Sequence, residues 1–539
     1  MKILRITLLS CLVFLTAACG RDSGYRMNDK YTDTPAYGDR LVDSSIGEPA
    51  TLNPVLASDS SSSDITSLVF NGLVRYDKDL NIQGALAERW EISPDSKTIT
   101  FYLRKGVKWH DGEEFTSRDV KFTYDSFMNP AVKTAYRSIF EPVASVETPD
   151  RYIVKVRYKY VFAPALQYWG MEIIPYHLLK DKDLNTAEFN RKPVGTGPYK
   201  FVKWITADRI ELEANPEYFE GKPYISRYTY RIIPDQSVQF MELLSGAIDM
   251  MTLTSDLFFT KADSPKFRKN YNKYKVPVFQ YVYCGYNMKN PLFADKRVRQ
   301  ALSYAIDKDE IIEGVKRGLA VRATGPFVPG TYAYSEKAEK YDYNPRKAAE
   351  LLAQAGWKKG PSGLLEKEGK KFEFILMTNQ GNKEREVIAT IIQQQLQKIG
   401  IKVDVRILAW NIFITEFIDK QKFEAVVMGW NTGRDPDCYD IWHSSKTKEG
   451  EFNFVSYKNA EVDRLLIEGR TTYDVNKRKA AYNRIHEIIA DDAPYTFLYT
   501  PLSLPAVHKR IHGIEPAPAG IGHNFIRWYV PRELVRYKD

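Results

Sequence analysis

Between residues 372 and 430 the spacing of apolar positions changes repeatedly. "FEFILM" (372–377) and "FEAVVMGW" (423–430) are short apolar runs, and "IKVDVRIL" (401–408) alternates with the period of a strand. Between the first strand and the alternating one, Ile388, Ile391, Ile392, Leu396 and Ile399 recur at helical spacing over 384–399, with Gly400 in the stop position. A short amphipathic segment covers 411–420. Strand, helix, strand, helix, strand predicts parallel β-α-β units and an α/β fold, in which ligands gather beyond the carboxyl ends of the strands. The stretch "WNTGRDPD" (430–437) hangs from such an end. It combines an indole, a glycine at 433 and charges of both signs at Arg434 and Asp435, so it is a candidate site rather than an ordinary turn.

The same patterning organises other regions. "TITFYLR" (98–104) alternates as a strand, and Thr116 or Ser117 can cap a following helix carrying Val120, Phe122 and Phe127. Over 294–306, Val298, Ala301, Leu302, Ala305 and Ile306 share one helical face behind Asp295 as a cap.

The first residues read differently. Lys2 and Arg5 precede an apolar run from Ile6 to Leu15 and small residues before Cys19, the build of a secretory signal and too short for a membrane span. "LTAAC" resembles the lipobox of bacterial lipoproteins, with Thr16 where that pattern usually has Leu; the resemblance implies cleavage after residue 18 and lipidation of Cys19. Residues 19–35 then read as a polar tether. Of four cysteines, Cys11 lies in the signal and Cys19 at its end, leaving Cys284 and Cys438 for the folded body and their pairing open. A large core, not a disulfide framework, must supply stability.

Charge and chemistry narrow the function. Net charge is +9, and removing residues 1–18 takes away Lys2 and Arg5 and no acid, leaving +7. The charges are mixed along the chain, with no basic block and no Cys/His module, so nothing points to nucleic acid. The 35 Tyr and 9 Trp supply rigid contact area. No nucleophile elbow, HExxH or P-loop appears. "VGTGPYK" (194–200) lacks the third glycine of a dinucleotide motif and reads as a tight turn between subdomains. The seven histidines are scattered, and none pair at metal-ligand spacing. These features speak against an enzyme, a metal site or a cofactor.

Six stretches in order resemble one family. "ALAERWEISPDSKTITFYLRKGVKWHDGEEFTSRDVKFTYD" (85–125), "PVGTGPYKF" (193–201), "LLSGAIDM" (243–250), "FADKRVRQALSYAIDKDEI" (293–311), "YNPRKAAELLAQAGW" (343–357) and "GW…DPD" (429–437) are similar to blocks of the extracellular solute-binding proteins of peptide ABC importers, the dipeptide and oligopeptide receptor group. The resemblance spans nearly the whole mature chain. It implies a two-lobed periplasmic binding protein fold of cluster C, type II-like. A first lobe would combine 36–76, 191–277 and 501–539, with an inserted subdomain at 77–190 and a second lobe at 278–500. Hinge crossings are expected near "VPVFQYVYCGYN" and "PYTFLYTPLSLP".

The function so implied is a monomeric, membrane-tethered receptor on the periplasmic or extracytoplasmic side. It would close on a peptide and deliver it to permease subunits with a cytoplasmic ATPase behind them. Other branches carry nickel complexes, haem, opines or oligosaccharides, and a signalling receptor or periplasmic holdase on the same fold is the further alternative. In peptide-binding members the ligand lies extended and pairs with protein strands. The matching segments are "ASDSSSSD" (57–64), with Ser58, Asp59, Ser60 and Ser61, and "GWNTG" (429–433), with Gly429, Trp430, Asn431, Thr432 and Gly433. Thr252 and Thr254 in "TLTSD" are expected to add polar contacts. Family members carry an Asp three residues after this Trp, where it pairs with the ligand's α-ammonium. Here that position is Gly433, followed by Arg434, which removes one reason to require a free N-terminus. Asp435, Asp437, Asp59 and Asp64 are the candidates to replace it.

Overall fold

Helix Lys383–Lys398 shows how the predicted units assemble. In this computed structural model, which describes residues 33–537, Asn382 caps the helix by accepting the Arg385 backbone N–H, and Gly400 ends it at φ +86°. Ile388, Ile392 and Leu396 are buried in one cluster with Phe374, Leu376, Val403 and Val427 of the flanking strands. Each such side chain contributes about 1.5–3 kcal/mol by leaving water. Strands Lys402–Leu408 and Ala425–Asn431 run parallel to Glu373–Asn379, as the periodicity predicts. Ala425–Asn431 then pairs antiparallel with Gln280–Tyr286, and that strand with Tyr495–Ser503, so the largest sheet is mixed.

The other lobe has smaller sheets. Gly38–Ser45 lies parallel to Ile225–Ile232, followed by Arg209–Ala214 and Tyr199–Ile205. A three-stranded sheet sets Pro505–His508 between Met250–Thr252 and Tyr271–Lys273. The chain leaves that sheet through residues 274–275 and returns through 504. The two passages run side by side, with Val276 paired to Ser503. A separate antiparallel sheet, Ala87–Ile92, Thr98–Leu103, Ile153–Tyr158 and Val143–Asp150, packs with helix Ser117–Met128 around Val120 and Phe127. Cys284 and Cys438 are both free thiols. The signal, Cys19 and most of the tether lie outside the described residues.

Two of the sequence blocks meet at His110. Its Nδ1 accepts the Gly195 N–H at 3.1 Å and its Nε2 lies 3.0 Å from the Gly197 carbonyl. A ring that accepts at Nδ1 and donates at Nε2 is neutral. A Cβ on Gly195 would fall 1.8 Å from the Val69 carbonyl oxygen, and one on Gly197 2.5 Å from that of Leu68. "VGTGPYK" is therefore a close backbone crossing beside the Ser60–Val69 helix. Burial pushes the His110 pKa down to about 4, below its unfolded value of about 6.5. The unfolded chain takes up the proton first, so stability contributed above pH 6.5 is lost as pH falls towards 4, by up to roughly 3 kcal/mol. Urea unfolding of wild type and His110→Gln is expected to show a shallower acid loss in the variant across that window. Parallel pH profiles would rule His110 out as a source of acid lability.

Candidate functional site

A cavity of about 600 Å³ lies between the carboxyl end of strand Ala425–Asn431 and the N-terminus of helix Ser60–Val69. The serine run does not stay extended as expected. Asp59 is an N-cap, its Oδ1 accepting the Ser62 N–H at 3.1 Å and its Oδ2 the Ser62 hydroxyl at 2.5 Å, and the chain is helical from Ser60. An acidic cap satisfying the free N–H groups of a first turn outweighs the weak strand tendency of serines. Ser58, Asp59, Ser60 and Ser61 nevertheless face the cavity, as a helix start rather than a strand.

Gly429, Trp430 and Asn431 form the opposite wall. Trp430 is half-buried: its Nε1 donates to the Tyr495 hydroxyl at 3.2 Å, it stacks on Phe454 at 5.6 Å, and it meets the edge of Phe452 at 5.5 Å. Residues 432–435 turn away from the cavity, and the loop returns to it at Asp437. Thr432 donates its N–H to the Phe279 carbonyl at 2.7 Å, Gly433 is exposed, and the Arg434 guanidinium lies 4.1 Å from the centre of the Phe279 ring. Asp435 accepts from Arg478 at 2.6 Å. Thr252 borders a neighbouring space, and Thr254 caps helix Ser255–Thr260 through the Leu257 N–H. None of these six borders the 600 Å³ cavity.

The edge of strand Ala425–Asn431 is unusual. Met428, Gly429, Trp430 and Asn431 pair on one side with Tyr283, Val282, Tyr281 and Gln280. On the other side, Glu373–Asn379 pairs with the strand only as far as Val426. Among the described residues, one row of backbone groups from Met428 to Asn431 is left without a strand partner where the strand borders the cavity.

Several lining residues were missed by sequence reasoning. Trp410 donates from Nε1 to Asp59 Oδ1 at 3.2 Å, and a Cβ on Gly47 would fall 2.8 Å from its ring, so the two walls touch here. The π-helical turn Phe413–Ile418 that follows sends Ile414 and Ile418 to the lining. Arg385 lies in the first turn of helix Lys383–Lys398, where the helix dipole disfavours a cation. Its Nη1 donates to Asn379 Oδ1 at 2.9 Å, burial pushes its pKa down, and among the described residues no carboxylate lies within ion-pair distance. That misplaced cation was the available sequence signal.

The carboxylates sort by partner. Asp437 accepts from Arg470 at 2.7 Å and from the Tyr168 hydroxyl at 2.9 Å. Asp64 accepts from the Tyr230 hydroxyl at 3.1 Å. With Asp59 and Asp435 also engaged, each of the four proposed replacements for the missing Asp already has a partner. Asp440 accepts from the Ser138 hydroxyl, and burial raises its pKa to about 7. Asp419 makes no side-chain hydrogen bond among the described residues, and burial, with Asp59 nearby, raises it to about 6. Among the described residues there is no group of three or more His, Cys, Asp or Glu side chains that could hold a metal, and no helix long and apolar enough to cross a membrane.

The family profile described as bacterial extracellular solute-binding proteins, family 5 Middle, matches residues 81–452. The oligopeptide-binding protein AppA of Bacillus subtilis is 38% identical over 540 residues, covering 97% of this chain and 98% of that protein. Its structure in complex with a nonapeptide superposes with a TM-score of 0.88 at 37% identity, over 92% of this chain and 100% of that one. DppA from Helicobacter pylori in complex with the peptide STSA gives 0.83 at 27% identity, over 92% and 99%. NikZ from Campylobacter jejuni in complex with Ni(L-His) gives 0.83 at 30% identity, over 91% and 99%.

Proposed function

The chain belongs to the bacterial extracellular solute-binding proteins of family 5, and from that membership we propose that it is the substrate-binding receptor of an ABC importer, capturing peptides between two lobes and delivering them to a membrane permease. The observation that carries the peptide reading is the open backbone edge from Met428 to Asn431 on the cavity. An extended ligand can add to that edge as a strand, and main-chain hydrogen bonds give affinity without reading side chains. Trp430 supplies an apolar wall, and the uncompensated Arg385 guanidinium suits a ligand carboxylate. Native mass spectrometry of protein purified without denaturation is expected to show bound masses spaced by amino-acid residues; a single sharp non-peptide mass would overturn the peptide reading. Trp430→Ala is expected to weaken peptide binding by roughly 1–3 kcal/mol. A folded variant with unchanged affinity would remove the indole from the site.

The family places the receptor outside the cytoplasm. We propose further that it is held there through a lipidated Cys19, works as a monomer, and divides at the lobe boundaries given above, with hinge crossings near 276–287 and 494–505. Cys19→Ala is expected to move the protein from the membrane to the soluble fraction; unchanged fractionation would exclude lipid anchoring.

A further inference from the structure

Strand Gly38–Ser45 ends on the main cavity at Ser45 and starts about 23 Å away, at the opposite pole of its lobe. The described chain begins at that pole. Asp33 accepts from His512 Nδ1 at 2.8 Å and from the Tyr529 hydroxyl at 2.7 Å. Tyr37, 59% exposed, stacks on Tyr224 at 4.8 Å, and Lys222 Nζ lies 5.2 Å from its ring centre. Asp33 comes fourteen residues after Cys19, a stretch that spans at most about 50 Å when fully extended. A lipid on Cys19 therefore keeps the surface around Asp33 close to the headgroups.

That surface is basic. Lys509 joins it to helix Pro265–Asn270, its N–H donating to the Asn270 carbonyl at 2.7 Å and its Nζ to that of Arg268 at 2.6 Å. Arg527 Nη2 reaches the Glu220 carbonyl at 3.4 Å, and the Tyr537 N–H donates to Asp39 at 3.1 Å. The segments that meet here, 33–40, 220–224, 261–270 and 508–537 with Asp249, carry eleven Lys and Arg against seven Asp and Glu. Most of the +7 of the mature chain is thus gathered at one pole. Arg510 engages Asp39 and Asp249, Arg75 engages Glu220, and Lys273 engages Asp263. Lys222, Lys266, Lys269, Arg527 and Arg532 are exposed, and among the described residues no carboxylate lies within ion-pair distance of them. Glu515 and Glu533 are the acids of these segments left without an ion pair.

We infer that this pole is a docking surface for the anionic phospholipid headgroups of the membrane that carries the anchor. Cations within about 10 Å of an anionic bilayer are drawn to it, and salt weakens the attraction. Tyr37 suits the headgroup depth, where a ring with a polar tip is at home. Docked this way, the receptor keeps its cavity away from the bilayer and open to the solution from which it loads. The contact orients the protein and does not replace the lipid. It rests on the lipidation of Cys19 proposed above.

Sedimentation of purified Cys19→Ala protein with vesicles tests it, using phosphatidylcholine alone or with one third phosphatidylglycerol. Binding is expected to be at least tenfold tighter to the anionic vesicles and to fall at least fivefold between about 0.05 and 0.3 M salt. Lys222→Glu combined with Lys266→Glu and Lys269→Glu should weaken it at least tenfold, with the urea midpoint unchanged. Lys358→Glu with Lys359→Glu and Lys370→Glu, on the exposed strands Lys358–Lys359 and Lys370–Lys371 of the other lobe, makes the same change in net charge and should cost less than threefold. Equal losses in the two triple variants, or equal binding to both kinds of vesicle, would overturn the docking surface. Washing cell membranes with high salt releases protein held by the pole and leaves protein held by a lipid. Wild type released by that wash would refute the anchor, and with it the membrane role of this pole, whereas vesicle results against the pole would leave the anchor standing.

Discussion

Arg510→Met is expected to cost roughly 3–5 kcal/mol of stability, with or without ligand, because it strands two buried carboxylates. Arg510, Asp39 and Asp249 are each 2% exposed or less as side chains. The guanidinium donates to Asp39 at 2.6 Å, to Asp249 at 2.5 and 2.8 Å, and to the Arg40 carbonyl at 2.6 Å. The acids hold other backbone in turn: Asp249 accepts the Val42 N–H at 2.9 Å, and Asp39 accepts those of Arg536 and Tyr537 at 3.1 Å. One cation thus joins the start, middle and end of the described chain. Methionine fills the volume but leaves two charges in a dry site, where Arg536, 3.7 Å from Asp249, is the cation that remains among the described residues. Urea unfolding should show the loss, and Arg510→Met combined with Asp249→Asn should recover part of it by removing one stranded charge. A loss under about 1 kcal/mol would mean that water reaches the pocket and that the triad is not a structural tie.

Such ties explain what the sequence could and could not reveal. The parallel units over 373–431 were legible because each element carries its own period and its own stop, as Ile388, Ile392, Leu396 and Gly400 show. The serine run was expected to be extended because it matches a family segment that pairs with ligand, although Asp59 three residues before Ser62 is a helix-start pattern. Arg434 and Asp435 looked like ligand groups because their partners, Phe279 and Arg478, are far away in sequence. The same distance hid Trp410, which meets Asp59 from 351 residues away. The readable part of the lining, residues 58–61 and 429–431, lies on contiguous segments. The larger remainder is assembled by contacts between segments far apart in the chain, which no local pattern records.

The last expectation turns on that contact. Arg470→Met should weaken peptide binding by about 3 kcal/mol or more, roughly a hundredfold or greater, while lowering the stability of the ligand-free protein much less. Arg470 and Asp437 both belong to the large-sheet lobe, yet their side chains are only 4% and 0% exposed. The opposite lobe contributes to that enclosure: Phe162 lies 4.9 Å from the guanidinium, the Ala163 N–H donates to the Arg470 carbonyl at 2.8 Å, and Tyr168 donates to Asp437 at 2.9 Å. Asp437 and Asp440 in turn keep Arg470 charged despite its burial. If the lobes part when ligand leaves, water reaches Asp437 and a missing partner costs little. When they close, the carboxylate is dried without a cation, and the penalty falls on the closed, ligand-bound form. Arg510→Met should therefore lower unfolding midpoints in both states, whereas Arg470→Met should chiefly lower affinity. Small-angle scattering should show wild type contracting on addition of peptide and the variant failing to do so at the same concentration. Adding Asp437→Asn to Arg470→Met removes the stranded charge and should restore much of the binding. Equal losses in ligand-free stability and in affinity, or no recovery in the double variant, would show that the pair supports the second lobe alone and has no part in closure.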